Sequence, residues 1–455
     1  MNHVSRTLAA VFIGAAVVIG QVAGLRGDQA APVTVPGVDK PVIVVTGSVT
    51  GNETWTNNFY YVLRGAVFVE SGATLNISAG TRVIGEAGSV GTLIVRRGGR
   101  LNAIGTRTEP VVFTSDQPAG NRSRGDWGGI ILNGNAPVNI EGGEGVGEAD
   151  TGIYGGNNPN DNSGTMRYVR VEFAGVEFSP DNELNGIAFQ GVGRGGTYEF
   201  IQVHMNRDDA LEWFGGTADI KYAVASNAAD DSFDWTFGWS GRAQFVAITQ
   251  RGDDADNGIE ADNNELNNNL LPRSNPQIYN ITLCGDPDTN EGSESVRAAN
   301  LRRGTAFTIR NFLLTGFKTT GFQIETTNAA TTGQVDNGTT QMGAGVAWGV
   351  RNVTTGVAGA NMHASVQTYI TSGRFPTVTT AASTTDAMVG LSAASCSNHE
   401  NPNFQPSGVA TLAGGQVAPI QPPNDGFFQA VTFIGAVPPA PADNWMSGWT
   451  SFPQR

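Results

Sequence analysis

The chain has 455 residues, a net charge of −14, 61 Gly and only three Lys (Lys40, Lys221, Lys318). That acidic balance, 27 Lys and Arg against 41 Asp and Glu, argues against a protein that neutralises nucleic-acid phosphates or lies on anionic lipid. Abundant Gly with scarce helical periodicity suits many short strands joined by tight turns.

Residues 1–24 read as a signal peptide. Arg6 gives the positive start, Leu8 to Gly20 the apolar core, and Val22-Ala23-Gly24 a small-residue cleavage site. No later apolar run approaches 18 residues, so the mature chain is expected to have no transmembrane segment and to be secreted or held at the cell surface. Residues 25–43 have Pro and Gly turns without periodicity, which predicts a linker. From residue 44 strands begin. Gly72-Ala73-Thr74-Leu75-Asn76-Ile77 recurs 26 residues later as Gly98-Gly99-Arg100-Leu101-Asn102-Ala103. Apolar runs bounded by Gly, such as Leu93-Ile94-Val95 and Gly129-Ile130-Ile131-Leu132, have the character of buried parallel strands. The Gly-rich acidic stretch from Glu141 to Gly164 is expected to be an exposed excursion.

From His204 to Asn264 the sequence repeats every 22 residues. Asp208-Asp209-Ala210-Leu211-Glu212-Trp213 falls over Asp230-Asp231-Ser232-Phe233-Asp234-Trp235, and a further step of 22 puts Asp253 and Asp256 beneath them. Two acidic columns are therefore expected, Asp209/Asp231/Asp253 and Glu212/Asp234/Asp256. A fixed period of this size predicts an all-β, right-handed parallel β-helix, a solenoid that brings equivalent residues to about the 4.8 Å spacing of neighbouring strands. A propeller would need a period nearer 40–50 residues, and a sandwich would not keep register through turns. The β-helix is expected over 44–325. A low-complexity Thr/Ala/Gly-rich insertion should occupy 326–425, and a final coil and cap 426–455, with Phe427–Ile434 as its strand and Trp445 and Trp449 covering the open edge.

Three chemistries suit the acidic rows. The first is Ca²⁺, held by the oxygens of Asp208, Asp209, Glu212, Asp230, Asp231, Asp234, Asp253 and Asp256. Crowded carboxylates bind a cation, pair with a base or raise their pKa values, and Ca²⁺ takes six to eight oxygens. The second is glycan chemistry, with Asp209, Asp230, Asp231 and Asp253 as acid, base or nucleophile, or Arg251 or Arg273 as the base of a calcium-dependent lyase. Trp213, Trp235 and Trp239 lie beside these acids and would offer stacking faces for sugar rings, with His204 nearby as a further ligand contact. The third is structural: Asp and Asn terminate β-helix turns by accepting from backbone N–H groups. Gly191-Val192-Gly193-Arg194-Gly195-Gly196 has no following helix and is no phosphate loop. Cys284 and Cys396, the two cysteines of the sequence, either form one disulfide or are two buried thiols.

The segments Arg124-Gly125-Asp126-Trp127-Gly128-Gly129-Ile130, Glu212-Trp213-Phe214-Gly215-Gly216, Gly258-Ile259-Glu260-Ala261-Asp262-Asn263-Asn264 and Gly448-Trp449-Thr450 together resemble a family of exported bacterial parallel β-helix proteins without settled activity. That resemblance covers residues 45–325 and 426–455. It implies export, often a surface lipoprotein, and an outer-membrane uptake receptor as a partner; the lipid-anchor Cys of that family is missing here. A weaker likeness, of shape only, is to pectate-lyase-type β-helix enzymes. The function expected is an exported, calcium-binding and polysaccharide-binding β-helix without catalysis, the alternatives being a polysaccharide-degrading enzyme and a purely structural scaffold.

Overall fold

A four-residue strand such as Leu211–Phe214 or Phe233–Thr236 buries too little apolar surface to persist alone, so it is stable only when stacked on its equivalents. The computed structural model describes residues 39–179, 182–288, 290, 292–350, 361–412 and 415–455. The expected signal peptide, and all of the expected linker before residue 39, lie outside them. Among the described residues, 24 strands join into one parallel system that winds as a right-handed β-helix.

Three ladders run along it. In the first, Asn52–Trp55, Thr74–Ile77 and Arg100–Ile104 stack in register with the start of Gly164–Glu172. Gly164–Glu172 is bent: its second half stacks on Val111–Ser115 of the second ladder, and both its halves pair with Thr197–His204. The two ladders therefore continue together as the two limbs of Thr197–His204, Ile220–Ser226, Arg242–Thr249, Gln277–Cys284 and Thr308–Thr315. The third passes through Thr92–Val95, Gly129–Asn133, Ile187–Gln190, Leu211–Phe214, Phe233–Thr236, Glu260–Ala261, Arg297–Leu301 and Thr320–Ile324.

Where the first ladder bends into the second, one residue per coil has positive φ: Tyr168 (51°), Phe200 (55°), Tyr222 (60°), Phe245 (61°), Asn280 (57°) and Asn311 (58°). Such a conformation is strained for an aromatic residue. Stacking offsets it, since the four rings follow one another with centroids 4.3, 4.3 and 5.0 Å apart. Inside the coil the core is aliphatic and aromatic, with Trp127, Phe189, Trp213, Phe233, Trp235 and Trp239 buried in it. Close packing explains two glycines: a Cβ on Gly85 would meet Trp127 at 2.4 Å, and one on Gly345 would meet Phe312 at 2.0 Å.

Several boundaries differ from the expectation. Strand pairing begins at Val42, inside the expected linker, because Val42–Val45 align with Tyr60–Leu63. The excursion at 141–164 is only partly exposed. It forms a hairpin, Glu144–Val146 with Ile153–Gly155, whose Tyr154 is buried against Phe214 on the outer face of the third ladder. The coil continues past residue 325: Gln341–Gly343 and Gly345–Trp348 extend the first two ladders, and Val378–Thr379 adds to the second. Helix Ala364–Thr371 lies over the edge of Thr320–Ile324, where Ser365 Oγ accepts from Ile324 N–H at 3.1 Å. Residues 426–455 do not form a final coil, and Phe427–Ile434 is not a strand. The chain turns back along the flank of the β-helix, and Trp445 and Trp449 cover the stacked corner rings rather than an end. Those rings already present an apolar surface that must be shielded, and this outweighs the β-propensity of the segment.

Cys284 and Cys396 are bonded, tying the 361–412 region to the second ladder across 112 residues. In the chain-entropy model a loop of that length contributes about 4–5 kcal/mol. A Cys284→Ala/Cys396→Ala chain should therefore unfold at lower urea concentration than the oxidised parent. Equal midpoints by circular dichroism would show that the bond constrains nothing.

Candidate functional site

The strand alternation of the third ladder decides which side chains become available. Leu211 and Trp213 point into the core, while Glu212 points outward; Phe233 and Trp235 repeat this around Asp234. The turns that enter these strands carry Asp208/Asp209 and Asp230/Asp231. Register places Asp234 directly on Glu212, and Asp231 N–H donates to Asp209 Oδ1 at 2.9 Å.

The next step is 26 residues, not 22. Asp234 pairs with Glu260 and Trp235 with Ala261, while Asn257 N–H donates to Asp231 Oδ1 at 2.6 Å. The coil gains one residue before Thr249, which is in register with Ser226, and three in the turn after it. Asp253 therefore leaves the column. It sits in the enlarged turn, paired with Arg124 at 3.1 Å and Arg251 at 3.3 Å, and Asp254 pairs with Arg207 at 3.1 Å. Asp256 stays, but against Asp230 rather than Asp234.

The carboxylates fall into four overlapping triads, each with oxygens within 4.8 Å of one another: Asp208/Asp209/Asp230, Asp209/Glu212/Asp234, Asp230/Asp231/Asp256 and Asp231/Asp234/Glu260. Glu148, from the hairpin, and Asn185 close one end. Asn185 Nδ2 donates to Glu212 Oε2 at 2.5 Å and to Glu148 Oε2 at 3.2 Å, while its buried Oδ1 has no partner. Arginines close the other end. Arg297 reaches Asp256 at 3.4 Å, Arg303 reaches Asp262 at 2.8 Å, and Arg302 pairs with both Glu260 and Asp262.

Burial combined with mutual repulsion raises the pKa values along this ladder. Burial, then Glu183, pushes Glu148 up to about 8. Burial, then Asp256, raises Asp230 to about 6, and burial raises Asp262 to about 7. Asp208, Asp209, Glu212, Asp231 and Asp234 are pushed well above the carboxylate range, first by burial and then by neighbouring carboxylates.

Other expected site residues lie elsewhere. Trp213, Trp235 and Trp239 are fully buried inside the coil, with Trp213 and Trp239 centroids 4.5 Å apart, so none offers a face to a sugar. Two of the three indole N–H groups bond inside the coil: Trp235 donates to Thr305 Oγ1 and Trp239 to Ala218 O, both at 3.0 Å. His204 is buried between Ser226 Oγ (2.9 Å) and the Pro453 carbonyl (2.8 Å), and burial lowers its pKa to about 3, so it is a neutral packed residue rather than a ligand contact. Arg251 pairs with Asp253, and Arg273 donates to the carbonyls of Asn268 and Gly304; neither belongs to the triads.

Glu148, Asn185, Glu260 and Asp262 were not among the expected residues. A signal for Glu260 existed, because Asp256-Asn257-Gly258-Ile259-Glu260 aligns with Asp230-Asp231-Ser232-Phe233-Asp234 at 26 residues, the spacing already seen between Asn76 and Asn102. Glu148 had none, since the hairpin reaches the ladder only through the fold.

The set contains hard oxygen donors, an excess of negative charge and an orphaned amide oxygen, and it can hold a metal ion. Asp209 and Asp231 also bond the next coil's backbone, so the turn-terminating role and the ligand role coexist in the same side chains. A family model described as pectate-lyase like beta helix domain matches residues 47–402. Neither curated proteins nor solved structures give a match.

The raised pKa values set a pH dependence. A carboxylate whose pKa rises on folding keeps a proton that the unfolded chain has released, so its contribution to stability falls as pH climbs towards the folded value. His204 has the opposite sign but acts only below its unfolded pKa of about 6.5. In chelator, the melting temperature should therefore fall from about pH 6.5 to about pH 8, the slope from Asp262 ending near pH 7 and that from Glu148 near pH 8. Glu148→Gln should flatten the upper part of that slope. A profile that is level or rising in this range would contradict the raised values.

Proposed function

The chain belongs to the pectate-lyase-like β-helix domain family, and on that premise we propose that it is an exported or cell-surface protein whose outer acidic ladder binds Ca²⁺ and, through it, an acidic polysaccharide, without turnover. The observation that carries the reading is the run of overlapping carboxylate triads with an unpartnered amide oxygen at one end. Asp208, Asp209, Glu212, Asp230, Asp231, Asp234, Asp256 and Glu260 would hold the cation or cations. Bound Ca²⁺ supplies positive charge and coordination positions that a polymer carboxylate can take. The protein's part is to fix the oxygens on rigid strands, so that no loop must be ordered on binding. Because the tryptophans are buried, polymer recognition rests on the cation and on exposed polar groups, not on ring stacking.

Export rests on the sequence of residues 1–24; among the described residues no helix is long and apolar enough to cross a membrane. An outer-membrane uptake receptor is the neighbour this reading assigns to the protein at the cell surface. A second reading is favoured by Arg302. Burial and then the Arg303 charge lower its pKa, and it contacts Glu260 and Asp262 at the ladder's end. In a calcium-dependent lyase this arginine, rather than Arg251 or Arg273, would abstract the sugar proton.

Calcium at about a hundred times its Kd should stabilise the fold by about 2.7 kcal/mol, read as a rise in melting temperature over chelator. Asp234→Asn and Glu212→Gln should each remove most of that rise. Acidic polysaccharide should be retained in calcium and released by chelator, with no new chain ends. Equal melting in calcium and chelator would end the cation reading. Unsaturated chain ends that disappear in Arg302→Ala would instead establish the lyase.

A further inference from the structure

The flank of the β-helix that carries the stacked corner rings is occupied by residues 420–455, and its manner of holding them is unusual. Three amide side chains of the body each donate to and accept from the backbone of a single residue. Asn311 pairs with Ile420 (both bonds 2.8 Å), Gln244 with Gln429 (both 2.8 Å) and Gln202 with Ser451 (2.7 and 2.9 Å). Bidentate bonding of this kind reads the peptide group and ignores the side chain.

The contact is most regular over 443–455. Carbonyls of alternate residues meet fixed donors: Ser447 O meets Arg107 Nε (2.7 Å), Trp449 O meets Arg170 Nη1 (3.2 Å), Ser451 O meets Gln202 Nε2, Pro453 O meets His204 Nε2 and Arg455 O meets Gly120 N–H (3.0 Å). Residues 445–449 make turns, so this repeat of two is that of an extended chain only from Ser451 onward. Because a carbonyl only accepts, His204 carries its proton on Nε2, and Ser226 Oγ–H supplies Nδ1. Two side chains anchor the segment. Trp449 is wholly buried, 5.9 Å from the Tyr168 ring and 6.1 Å from that of Phe200, and Trp445 lies 5.3 Å from Tyr222. Asp443 pairs with Arg107 at the entrance.

We infer that this flank is a binding groove for a polypeptide segment, filled here by the chain's own 443–455, and that the same segment of a second copy can fill it, linking two molecules by segment exchange. The second copy is the occupant favoured because it brings the identical anchors, Asp443, Trp445 and Trp449, to identical partners. The connection also permits it: the segment leaves the rest of the chain through exposed Ala440, Pro441 and Ala442, so the groove does not depend on which molecule supplies the anchors. Tethering gives the internal segment an effective concentration in the millimolar range, so exchange is suppressed until the tether is cut or the segment is transiently released.

Two measurements on the full chain test this. In the first, a protease site is inserted within residues 438–442 and cleaved, and a fluorescent peptide of residues 443–455 is added. Anisotropy should show saturable uptake, weakened roughly tenfold or more by Trp449→Ala in the peptide or Gln202→Ala in the body. A cleaved chain that keeps its β-sheet circular dichroism and takes up no peptide overturns the proposal. In the second, which decides should cleavage itself unfold the protein, heavy- and light-isotope intact chains are mixed at high concentration through a mild denaturant pulse. Mixed dimers by native mass spectrometry, absent in Trp449→Ala, support segment exchange. Chains that refold fully and remain monomeric overturn it.

Discussion

Everything in this protein depends on the spacing of neighbouring parallel strands. When one coil follows another at about 4.8 Å, a residue is forced against its equivalents above and below, whatever its chemistry. For Phe200 and Tyr222 the consequence is favourable: ring centroids 4.3 Å apart, which stabilise a backbone conformation that aromatic residues otherwise avoid. For Glu212 and Asp234 it is unfavourable, because two carboxylates are held together on a surface that burial has partly stripped of water. The same geometry makes the scaffold strong at the corner and electrostatically unsatisfied at the acidic turn.

That imbalance is relieved differently along the ladder. At the Arg302 end, guanidinium groups neutralise Glu260 and Asp262. In the middle, Asp209 and Asp231 accept from backbone N–H groups of the next coil, which a turn aspartate would do in any β-helix. At the Asn185 end neither relief is complete. An amide oxygen stays unpartnered beside Glu148 and Glu212, and burial and neighbouring carboxylates push both carboxyls up, Glu148 to about 8. A face of this kind can hold a metal ion without any moving part.

The flank that carries the stacked corner rings is organised by backbone recognition rather than charge. Gln202, Gln244 and Asn311 are buried on it and would be costly without partners, and residues 420–455 supply those partners without regular secondary structure. The disulfide plays a related part further along, pinning the 361–412 region to a coil that its own composition could not hold.

The sequence by itself determined the β-helix, because a vertical repeat is written directly as a period, and it determined the pairing of Asp209 with Asp231 and of Glu212 with Asp234. It did not determine the third row. Three residues inserted in the turn after Thr249 move Asp253 out and bring Glu260 in, and turn length is set by packing that no local pattern records. Nor did it decide which way the tryptophans face. Trp213 lies one residue from Glu212, and in a strand that single step separates core from solvent, so adjacency in sequence meant opposition in space. Glu148, the disulfide and the course of residues 426–455 were likewise decided only by tertiary structure, because each joins positions that many coils or a long excursion keep apart along the chain.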